Sequence, residues 1–385
     1  MNHRKIKKHL YGWLLASALL AAGCGQEEDI TETPSDPANP AETSNVILNF
    51  TVAGELSTRT DLSGSDNVQH VTSVRLYIFD GTGENATCLA SEDIGWLAYF
   101  GNQAPTVTST MRYHVKYTGL ANGSPYTFLA IGLDDRSGNT YGLPSAIKVG
   151  TTVLSQAIAT LAGSEAATWT AMRQSELFAG ATVLTPNSYG TQGNVDLWRR
   201  VAGVMGWFTN IPTQIGGNTV STLRITLYTQ QNKSVPLLQR QQTPVFLDYI
   251  SSPLNASTGG QVLVEIPVPA GTTALTVLSK GSYVLPVPAP APVNANDYTL
   301  KIEIVNASGT TLRSTRVTLS DSDDSSTGNG TGIIDPEGVY RFPIVANRFY
   351  GVGTKLVPIN LGASLTRGYV TSRILPHWGE MEEEK

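Results

Sequence analysis

Apolar and polar residues alternate over many short stretches of this chain, a pattern typical of β-strands with one buried face. The first stretch places Val46, Leu48, Phe50 and Val52 on one face of a strand. Residues 200–208 are apolar on both faces, as expected for a central strand that is buried on both sides of its sheet. Further strands are predicted at residues 74–78, 111–117, 126–133, 223–227, 262–266 and 300–304. The pattern therefore predicts a mostly β protein.

Local patterns between these strands predict one hairpin and two short helices. Residues 120–123 end in Asn-Gly, a pair that readily takes positive φ, so we expect this turn to join its two flanking strands as a hairpin. Leu154, Ile158 and Leu161 recur at helical spacing and predict a short helix. A second helix is predicted to end near Phe178.

The spacing of the strands also indicates how the chain is organised. Many short strands with few helices favour β-sandwiches over an α/β fold, and we predict two sandwiches, at residues 46–196 and 197–385. Residues 24–45 are rich in Pro, Thr, Ser and Glu and cannot bury enough apolar surface to fold. We therefore predict that they form an extended tether between residues 1–23 and the folded part.

The first 23 residues have the features of a secretory leader. A basic start, Arg4–Lys8, precedes a short apolar run and the small residues Ala21–Gly23. Cys24 follows directly, so the stretch resembles a bacterial lipoprotein signal, in which Cys24 is acylated and holds the protein on the outer membrane. Glu27–Asp29 resembles the acidic tract that sends lipoproteins of the Bacteroidetes to the cell surface. The alternative is an ordinary leader in which Cys24 is incidental.

Charge and cysteine content exclude several classes of protein. The 385-residue chain has a net charge of −5, and without the four basic residues of the leader 22 basic residues face 31 acidic ones, a net charge of −9. Such an acidic chain is a poor ligand for nucleic acid. Once Cys24 is acylated, Cys88 has no partner within the chain, so we expect no disulfide.

The spacing of the candidate metal-binding and catalytic residues does not support an active site. His70, His114 and His377 lie far apart and lack the spacing of zinc ligands. Ser145–Lys148 matches S-x-x-K and Ser65–Asn67 matches S-D-N, but their order is the reverse of that in β-lactamase-type enzymes, and K-T-G is missing. We predict that the protein is not an enzyme and needs no metal or cofactor.

Two patterns have both a binding and a structural interpretation. Asp321, Asp323 and Asp324 lie in a polar loop, where a solvated turn is favoured over a calcium site because nothing completes an oxygen cage. Residues 96–100 contain Trp96, Tyr99 and Phe100, which would stack on sugars if exposed, although such clusters more often belong to a core.

A series of short motifs, in this order, resembles one known family. After the lipoprotein signal, the tether and the first strand come SVRLYIFD, YTFLAIGLDD, ELFAG, LWRRVAGV and ANRFYGV. In this order the chain is similar to the fimbrillin proteins of Bacteroidales, the subunits of type V pili. The resemblance implies two transthyretin-like β-sandwich domains and a surface lipoprotein. It also implies that an Arg-specific protease removes the first strand, so that another subunit's strand fills the groove by β-augmentation.

Carried onto this chain, the resemblance implies cleavage between Arg59 and Thr60, in a polar loop. The strand that would be removed carries Val46, Leu48, Phe50 and Val52 on its inward face. Two alternatives stay open. In the first, Arg59 is one more solvated charge in a loop. In the second, the first strand is retained, as in an uncleaved pilus anchor.

The last apolar stretch is the candidate donor strand for another subunit. Its pairing residues are Tyr369, Val370, Ile374 and Leu375. Pro376 and the charged run of Glu380 and Glu382–Lys385 fit a donor poorly, which leaves open a tip subunit that accepts a strand but donates none.

The sequence thus predicts a stalk or tip subunit of an adhesive cell-surface pilus, assembled by donor-strand exchange. Its partners would be other pilus subunits, an Arg-specific protease, the outer membrane through the lipid, and a host or bacterial surface receptor. The alternatives are a monomeric surface glycan-binding lipoprotein and an uncleaved pilus anchor.

Overall fold

The computed structural model of this chain describes residues 44–53, 71–102, 110–133, 140–161, 175–227, 232–238, 252–253, 261–287, 298–319, 341–364 without 343, 345 and 347, and 369–375. These residues are mostly β, as the sequence predicts. Within the described ranges, no helix is long and apolar enough to cross a membrane.

The strands are numbered in chain order. They are β1 (Val46–Ala53), β2 (Ser73–Phe79), β3 (Cys88–Asp93), β4 (Thr110–His114), β5 (Tyr126–Leu133), β6 (Ile158–Thr160), β7 (Leu177–Leu184), β8 (Thr191–Arg199), β9 (Ala202–Thr209), β10 (Gln214–Ile215), β11 (Asn218–Thr219), β12 (Thr222–Leu227), β13 (Asn232–Pro236), β14 (Ser252–Pro253), β15 (Gln261–Pro267), β16 (Leu278–Val284), β17 (Leu300–Val305), β18 (Thr311–Leu319), β19 (Phe349–Val352), β20 (Ile359–Asn360) and β21 (Tyr369–Leu375). Short helices are α1 (Trp96–Tyr99), α2 (Leu361–Ser364) and a 3-10 turn at Leu154–Gln156.

The first sheet has seven strands in the order β3-β2-β5-β7-β8-β1-β4. Alternate side chains of β1, β2, β4, β5 and β8 build an apolar core on one face, because every second residue of a strand points to the same side. Val74, Leu76 and Ile78 of β2 lie in this core, as their alternation predicts. Arg75 and Tyr77 alternate with them, and Tyr77 is buried on the opposite face of the sheet.

The second sheet follows the order β15-β12-β17-β18-β21-β19-β9-β16, with β20 beside β9. It curls until its two end strands are in contact, and Lys280 Nζ on β16 donates to the Glu265 carbonyl oxygen on β15 at 3.0 Å. Alternating residues of β12, β15 and β17 fill the core inside the curl, which confirms the predicted strands there.

A third core lies between the two large sheets. It combines Tyr77 and Leu129 of the first sheet with Met205 and Trp207 of β9, so β9 is buried on both faces as predicted. A small sheet of order β14-β13-β6 adds backbone pairing across this junction, since residues 158–160 pair with residues 234–236. The first sheet ends at Arg199, the second begins at Ala202, and residues 38–385 form one compact unit. The predicted division after residue 196 stays a prediction.

A buried ion pair lies at the passage from the first sheet to the second. Arg199 Nε is 2.6 Å from Glu176 Oε1, and neither side chain is more than slightly exposed. The next residue, Arg200, is fully buried and its Nη2 donates to the Leu237 carbonyl oxygen at 2.8 Å. Buried charges need such partners, so these contacts fix the chain where it changes sheets.

The predicted hairpin around residues 120–123 is wrong. β4 pairs with β1, whereas β5 pairs with β2 and β7, so the two flanking strands lie in different parts of the sheet. Gly123 does have a positive φ of 84° and its N–H donates to the Pro186 carbonyl oxygen. The Asn-Gly signal located a turn correctly, but long-range pairing decided which strands it separates.

Both predicted helices are also wrong where the structure describes them. Residues 154–156 form a single 3-10 turn, and the following residues form β6, with Ala157, Ala159 and Leu161 buried at a period of two. Phe178 lies in β7, which pairs with β5 along its whole length. In both places pairing with a distant strand overrides the local helical spacing.

Candidate functional site

The first strand occupies an inner position of the first sheet, one strand from the edge. β1 runs parallel to β8 from Val46 to Ala53 and antiparallel to β4 from Ile47 to Thr51. Its backbone is therefore paired on both sides over its central five residues. The strand that was predicted to leave the fold is in place and fully paired there.

The inward side chains of β1 confirm the alternation predicted from the sequence. Val46, Leu48 and Phe50 have no exposed surface, and Val52 is 7% exposed. The Phe50 ring meets the Tyr113 ring of β4 edge to face, with 6.3 Å between the ring centres. Burial of an aliphatic or aromatic side chain contributes about 1.5–3 kcal/mol, so this row contributes on the order of 6–12 kcal/mol. Such an amount is comparable to the stability of a whole domain.

The entry of the chain into β1 is held by backbone hydrogen bonds. Ser44 N–H donates to the Val115 carbonyl oxygen at 2.8 Å, and Val115 N–H donates to the Val46 carbonyl oxygen at 3.0 Å. On the other side, Thr191 N–H donates to the Asn45 carbonyl oxygen at 2.9 Å. The predicted tether therefore meets the fold at a point that is fixed from both sides.

Outward residues of β1 make polar contacts with their cross-strand neighbours. Asn49 Nδ2 donates to Asn194 Oδ1 at 3.1 Å, and the hydroxyl oxygens of Thr51 and Thr110 are 3.3 Å apart. Pairs of this kind stabilise a sheet modestly and fix its register. They add to the apolar row on the inner face in holding β1 in one position.

The carboxylate of Glu92 closes the sheet beside β1. It lies on the edge strand β3 and accepts three hydrogen bonds, one from β4 and two from the segment that follows β4. The donors are Tyr113 O–H at 2.8 Å, Lys116 N–H at 3.0 Å and Tyr117 N–H at 2.7 Å. Hydrogen bonds to an ionised carboxylate are roughly twice as strong as neutral ones. Glu92 thereby joins the two ends of the sheet around the core that contains β1.

Sequence reasoning missed Glu92, and no local signal identifies it. The residue stands in Ser91-Glu92-Asp93, which reads as an ordinary polar stretch, and its donors lie 21 to 25 residues further along the chain. Only the curl of the sheet brings the two segments together.

The candidate donor strand is part of the chain's own second sheet. β21 pairs in parallel with β18 through Tyr369–Ser372 and antiparallel with β19 through Ser372–Leu375. Val370 is buried in the core of this sheet, and Ser372 Oγ donates to the Thr318 carbonyl oxygen at 3.2 Å. A donor role for Tyr369, Val370, Ile374 and Leu375 stays a prediction, and it requires β21 to leave its own sheet.

Several predicted residues fall outside the described part of the chain. They are Cys24, Glu27–Asp29, Arg59, Thr60, His70, Asp321, Asp323, Asp324 and His377. His114 lies on β4 with its side chain exposed, and no group of three metal-ligating side chains occurs among the described residues.

The aromatic cluster at residues 96–100 belongs to the core of the first sheet. Trp96 is 1% exposed, and its ring lies edge to face with that of Phe100, with 5.1 Å between the ring centres. Tyr99 and Phe100 are half-buried and pack against the same core. The core interpretation of this cluster is confirmed, so the glycan-binding alternative loses the stacking platform on which it depended.

Solved structures with a similar fold come from fimbrial and adhesive proteins. The fimbrial anchor protein Mfa2 from Porphyromonas gingivalis is 12% identical, with a TM-score of 0.39 over 80% of this chain and 88% of that one. A candidate adhesin of Bacteroides thetaiotaomicron is 11% identical, with a TM-score of 0.42 over 81% of this chain and 92% of that one. With identities and TM-scores this low, the two similarities carry no argument of their own. No curated protein matches the sequence.

A family model gives the decisive comparison. The model of the fimbrillin-A associated anchor proteins Mfa1 and Mfa2 matches residues 33–244, more than half of the 385-residue chain. The matched region includes the end of the predicted tether, the whole first sheet and β9. It therefore contains β1, the strands β4 and β8 that pair with it, and β9, with which the chain enters the second sheet. The chain belongs to this family of fimbrial proteins, which is not a family of enzymes.

Proposed function

We propose that this protein is the anchor subunit of a cell-surface fimbrium and that it keeps its first strand. The observation that carries the proposal is β1, which is paired on both sides and buries four apolar side chains. A chain that retains β1 offers no vacant groove to an incoming strand, because the edges and the pockets are already filled. Such a subunit ends a fibre at its base, in keeping with the anchor proteins that define the family.

The proposal is tested on the protein taken from cells. Digestion after glutamate should yield the peptide Leu56–Glu84 with the bond between Arg59 and Thr60 intact. Trypsin is unsuitable because it cuts this bond itself. A surface protein that yields only Thr60–Glu84 has lost β1, and this result would overturn the anchor in favour of a stalk or tip subunit that accepts a strand.

The proposed membrane attachment is an acyl group on Cys24. Two or three chains on one residue hold a protein firmly, since each buried methylene contributes about 0.8 kcal/mol. Cys24→Ala should release the protein from the membrane fraction, and Cys88→Ala is the matched control because it removes the other cysteine of the chain. Protease added to intact cells should degrade the wild-type protein. Membrane association of Cys24→Ala, or resistance of the wild type until lysis, would contradict a lipid-held surface anchor.

A further inference from the structure

A cavity opens on the face of the first sheet that carries Tyr77, at the rim of the core between the two large sheets. Its walls include Arg75 and Tyr77 of β2, Asp93 of β3, Ile131 of β5, and Leu143 and Pro144 of the segment before β6. The cavity has a volume of about 160 Å³. A protein cavity of about 150 Å³ holds one benzene molecule, so this one has room for a single six-membered ring.

Strand pairing places the polar groups of the cavity beside one another. Arg75 lies opposite Asp93 of β3 and opposite Ile131 of β5, and Tyr77 follows on the same face of β2. The side chains of Arg75 and Asp93 are 35% and 65% exposed, whereas Tyr77 is 1% exposed. The charged pair therefore lies at the mouth of the cavity, and Tyr77 lies in its interior.

These polar groups are only weakly bonded within the protein. In the part of the chain that the structure describes, Tyr77 O–H has one acceptor, the Pro144 carbonyl oxygen at 3.5 Å. Arg75 Nη1 donates to Ser91 Oγ at 3.3 Å, and Arg75 Nη2 is 3.7 Å from Asp93 Oδ2. All three distances exceed the usual length of a hydrogen bond. A buried hydroxyl with so weak a partner is unusual and is explained if a ligand completes its bonding.

The protonation states determine what each group offers to a ligand. Burial raises the pKa of Tyr77 to about 12, so its hydroxyl keeps its proton at neutral pH and remains a donor. The Arg75 guanidinium supplies further donors. Asp93 Oδ1 accepts the Gly95 N–H at 2.9 Å, so Oδ2 is the oxygen that faces Arg75. The cavity thus combines several donors with one carboxylate acceptor.

The remaining wall of the cavity is apolar. Ile131 is 2% exposed and Leu143 is 5% exposed, and both belong to the core between the sheets. Sites for small molecules combine such apolar walls with a few polar groups that fix the orientation of the ligand. A fitting ligand therefore has polar groups along one side and C–H groups along the other.

The two charges at the mouth favour an uncharged ligand. Asp93 repels an anion and Arg75 repels a cation, and a zwitterion would separate the pair at the cost of desolvating further charges. A hydroxyl both accepts and donates, so it can bind Arg75 and Asp93 together without separating them. A six-membered ring with adjacent hydroxyls and apolar C–H faces is a sugar in its pyranose form.

We propose that this cavity binds one neutral pyranose, whose adjacent hydroxyls bond to Arg75, Asp93 and Tyr77 while its C–H groups pack on Ile131 and Leu143. The site is distinct from the aromatic cluster at residues 96–100, which belongs to the core. It is also independent of the anchor function, since its walls come from β2, β3, β5 and the segment before β6 and not from β1.

The test uses the protein as it occurs in cells, extracted from its own bacterium in a mild detergent without a sugar headgroup. The probes are the methyl pyranosides of glucose, galactose and mannose, and binding is measured by saturation-transfer NMR. At least one should bind with a Kd on the order of 1 mM, because a ligand of this size makes few contacts. The free sugars are measured beside them. Binding of both forms supports the end of a glycan as the ligand, and binding of the free sugar alone supports a free monosaccharide.

Two variants remove the proposed hydrogen bonds separately. Tyr77→Phe deletes one hydroxyl from the interior, and Arg75→Met deletes the donors at the mouth. Each should weaken binding at least about ten-fold, because a sugar hydroxyl is left without its partner. The matched control is Arg224→Met, which breaks the ion pair with Glu265 at a side chain of similar exposure outside the cavity and should bind like the wild type. Urea unfolding checks that each variant is folded, and Arg75→Met, at the exposed mouth, decides the matter if Tyr77→Phe is not.

Three results would overturn the proposal. The first is no binding of any of the sugars at about ten times the expected Kd. The second is sugar binding that survives both Arg75→Met and Tyr77→Phe, because the sugar then lies elsewhere. The third comes from benzoate, a ring with a negative charge, and leucine, a zwitterion. Tighter binding of either than of every sugar, lost in the cavity variants, would assign the cavity to that class of ligand. The anchor function would stand in all three cases.

Discussion

β1 and β21 occupy comparable positions but are held to different extents. Each lies between a parallel and an antiparallel neighbour. In β1, residues 47–51 have partners on both sides. In β21, residues 369–372 pair with β18 and residues 372–375 pair with β19, so among the described residues Ser372 alone is paired on both sides.

The comparison shows that inner position in a sheet does not by itself fix a strand. The double pairing of β1 coincides with a row of four buried apolar side chains, so its removal exposes edges and pockets together. Each half of β21 has one edge without a strand partner in the described structure, which lowers the cost of detaching it. We expect β1 to be the permanent strand and β21 the more labile one.

The largest effect is expected from truncating the centre of β1. Phe50→Ala removes a fully buried ring and should lower the free energy of unfolding by about 3–5 kcal/mol. Thr51→Ala, on the outward face of the same strand, loses only the contact with Thr110, and as the control it should cost at most about 1 kcal/mol. Urea unfolding measures both values. Similar losses in the two variants would contradict the burial that distinguishes the faces of β1.

A smaller effect is expected from opening the contact between the ends of the first sheet. Glu92→Ala leaves the Tyr113, Lys116 and Tyr117 donors without their carboxylate and should cost about 1–3 kcal/mol. Glu92→Gln retains an acceptor and should cost less. The exposed Glu84→Ala serves as the control in the same urea experiment. If Glu92→Ala matches Glu84→Ala, the carboxylate does not close the sheet.

A difference without any mutation is expected in hydrogen exchange. The amides of β21 should exchange at least about ten-fold faster than those of residues 47–51, because opening β21 breaks fewer backbone pairs. Residues 203–206 of β9, which pair with both β16 and β19, provide a second slow reference in the same sheet as β21. Equal protection of β1 and β21 would remove the distinction between them.

The smallest change to the protein is chemical labelling of the thiol of Cys88, at the start of β3. Its thiol is buried in the core between the sheets, and burial raises the pKa of Cys88 to about 11. The neutral thiol therefore persists at pH 8, and reaction with a disulfide reagent should be slower than in unfolded protein by roughly two orders of magnitude or more. The measurement uses Cys24→Ala, so that Cys88 is the only thiol. Rapid labelling without unfolding would show that the core between the sheets opens readily.

The sequence predicts features that depend on one strand and misses those that depend on pairing. The alternation of Val46, Leu48, Phe50 and Val52 follows from the two-residue repeat of a strand, and the structure buries all four. The strand that pairs with β4 could not be predicted in this way. The turn at residues 120–123 suggests its neighbour in sequence, whereas β4 pairs with β1, more than fifty residues earlier. Register over such distances is set by the whole core.

The same limit applies to Glu92. It stands in an ordinary polar stretch, and its three donors lie 21 to 25 residues further along the chain. Only the pairing of the strands shows that these two segments meet.

The parallel pairing of β1 with β8 has a mechanical consequence for a fibre exposed to flow. The chain enters β1 at Val46, so in the proposed lipid-held anchor tension on the predicted tether reaches the fold at the first residue of this strand. Hydrogen bonds of a parallel ladder are spaced evenly along the strands. A pull along the axis of β1 loads this row in shear, and the bonds share the force where an unzipping pull would break them one after another. In the proposed lipid-held anchor, the first strand is thereby suited to carry a tensile load.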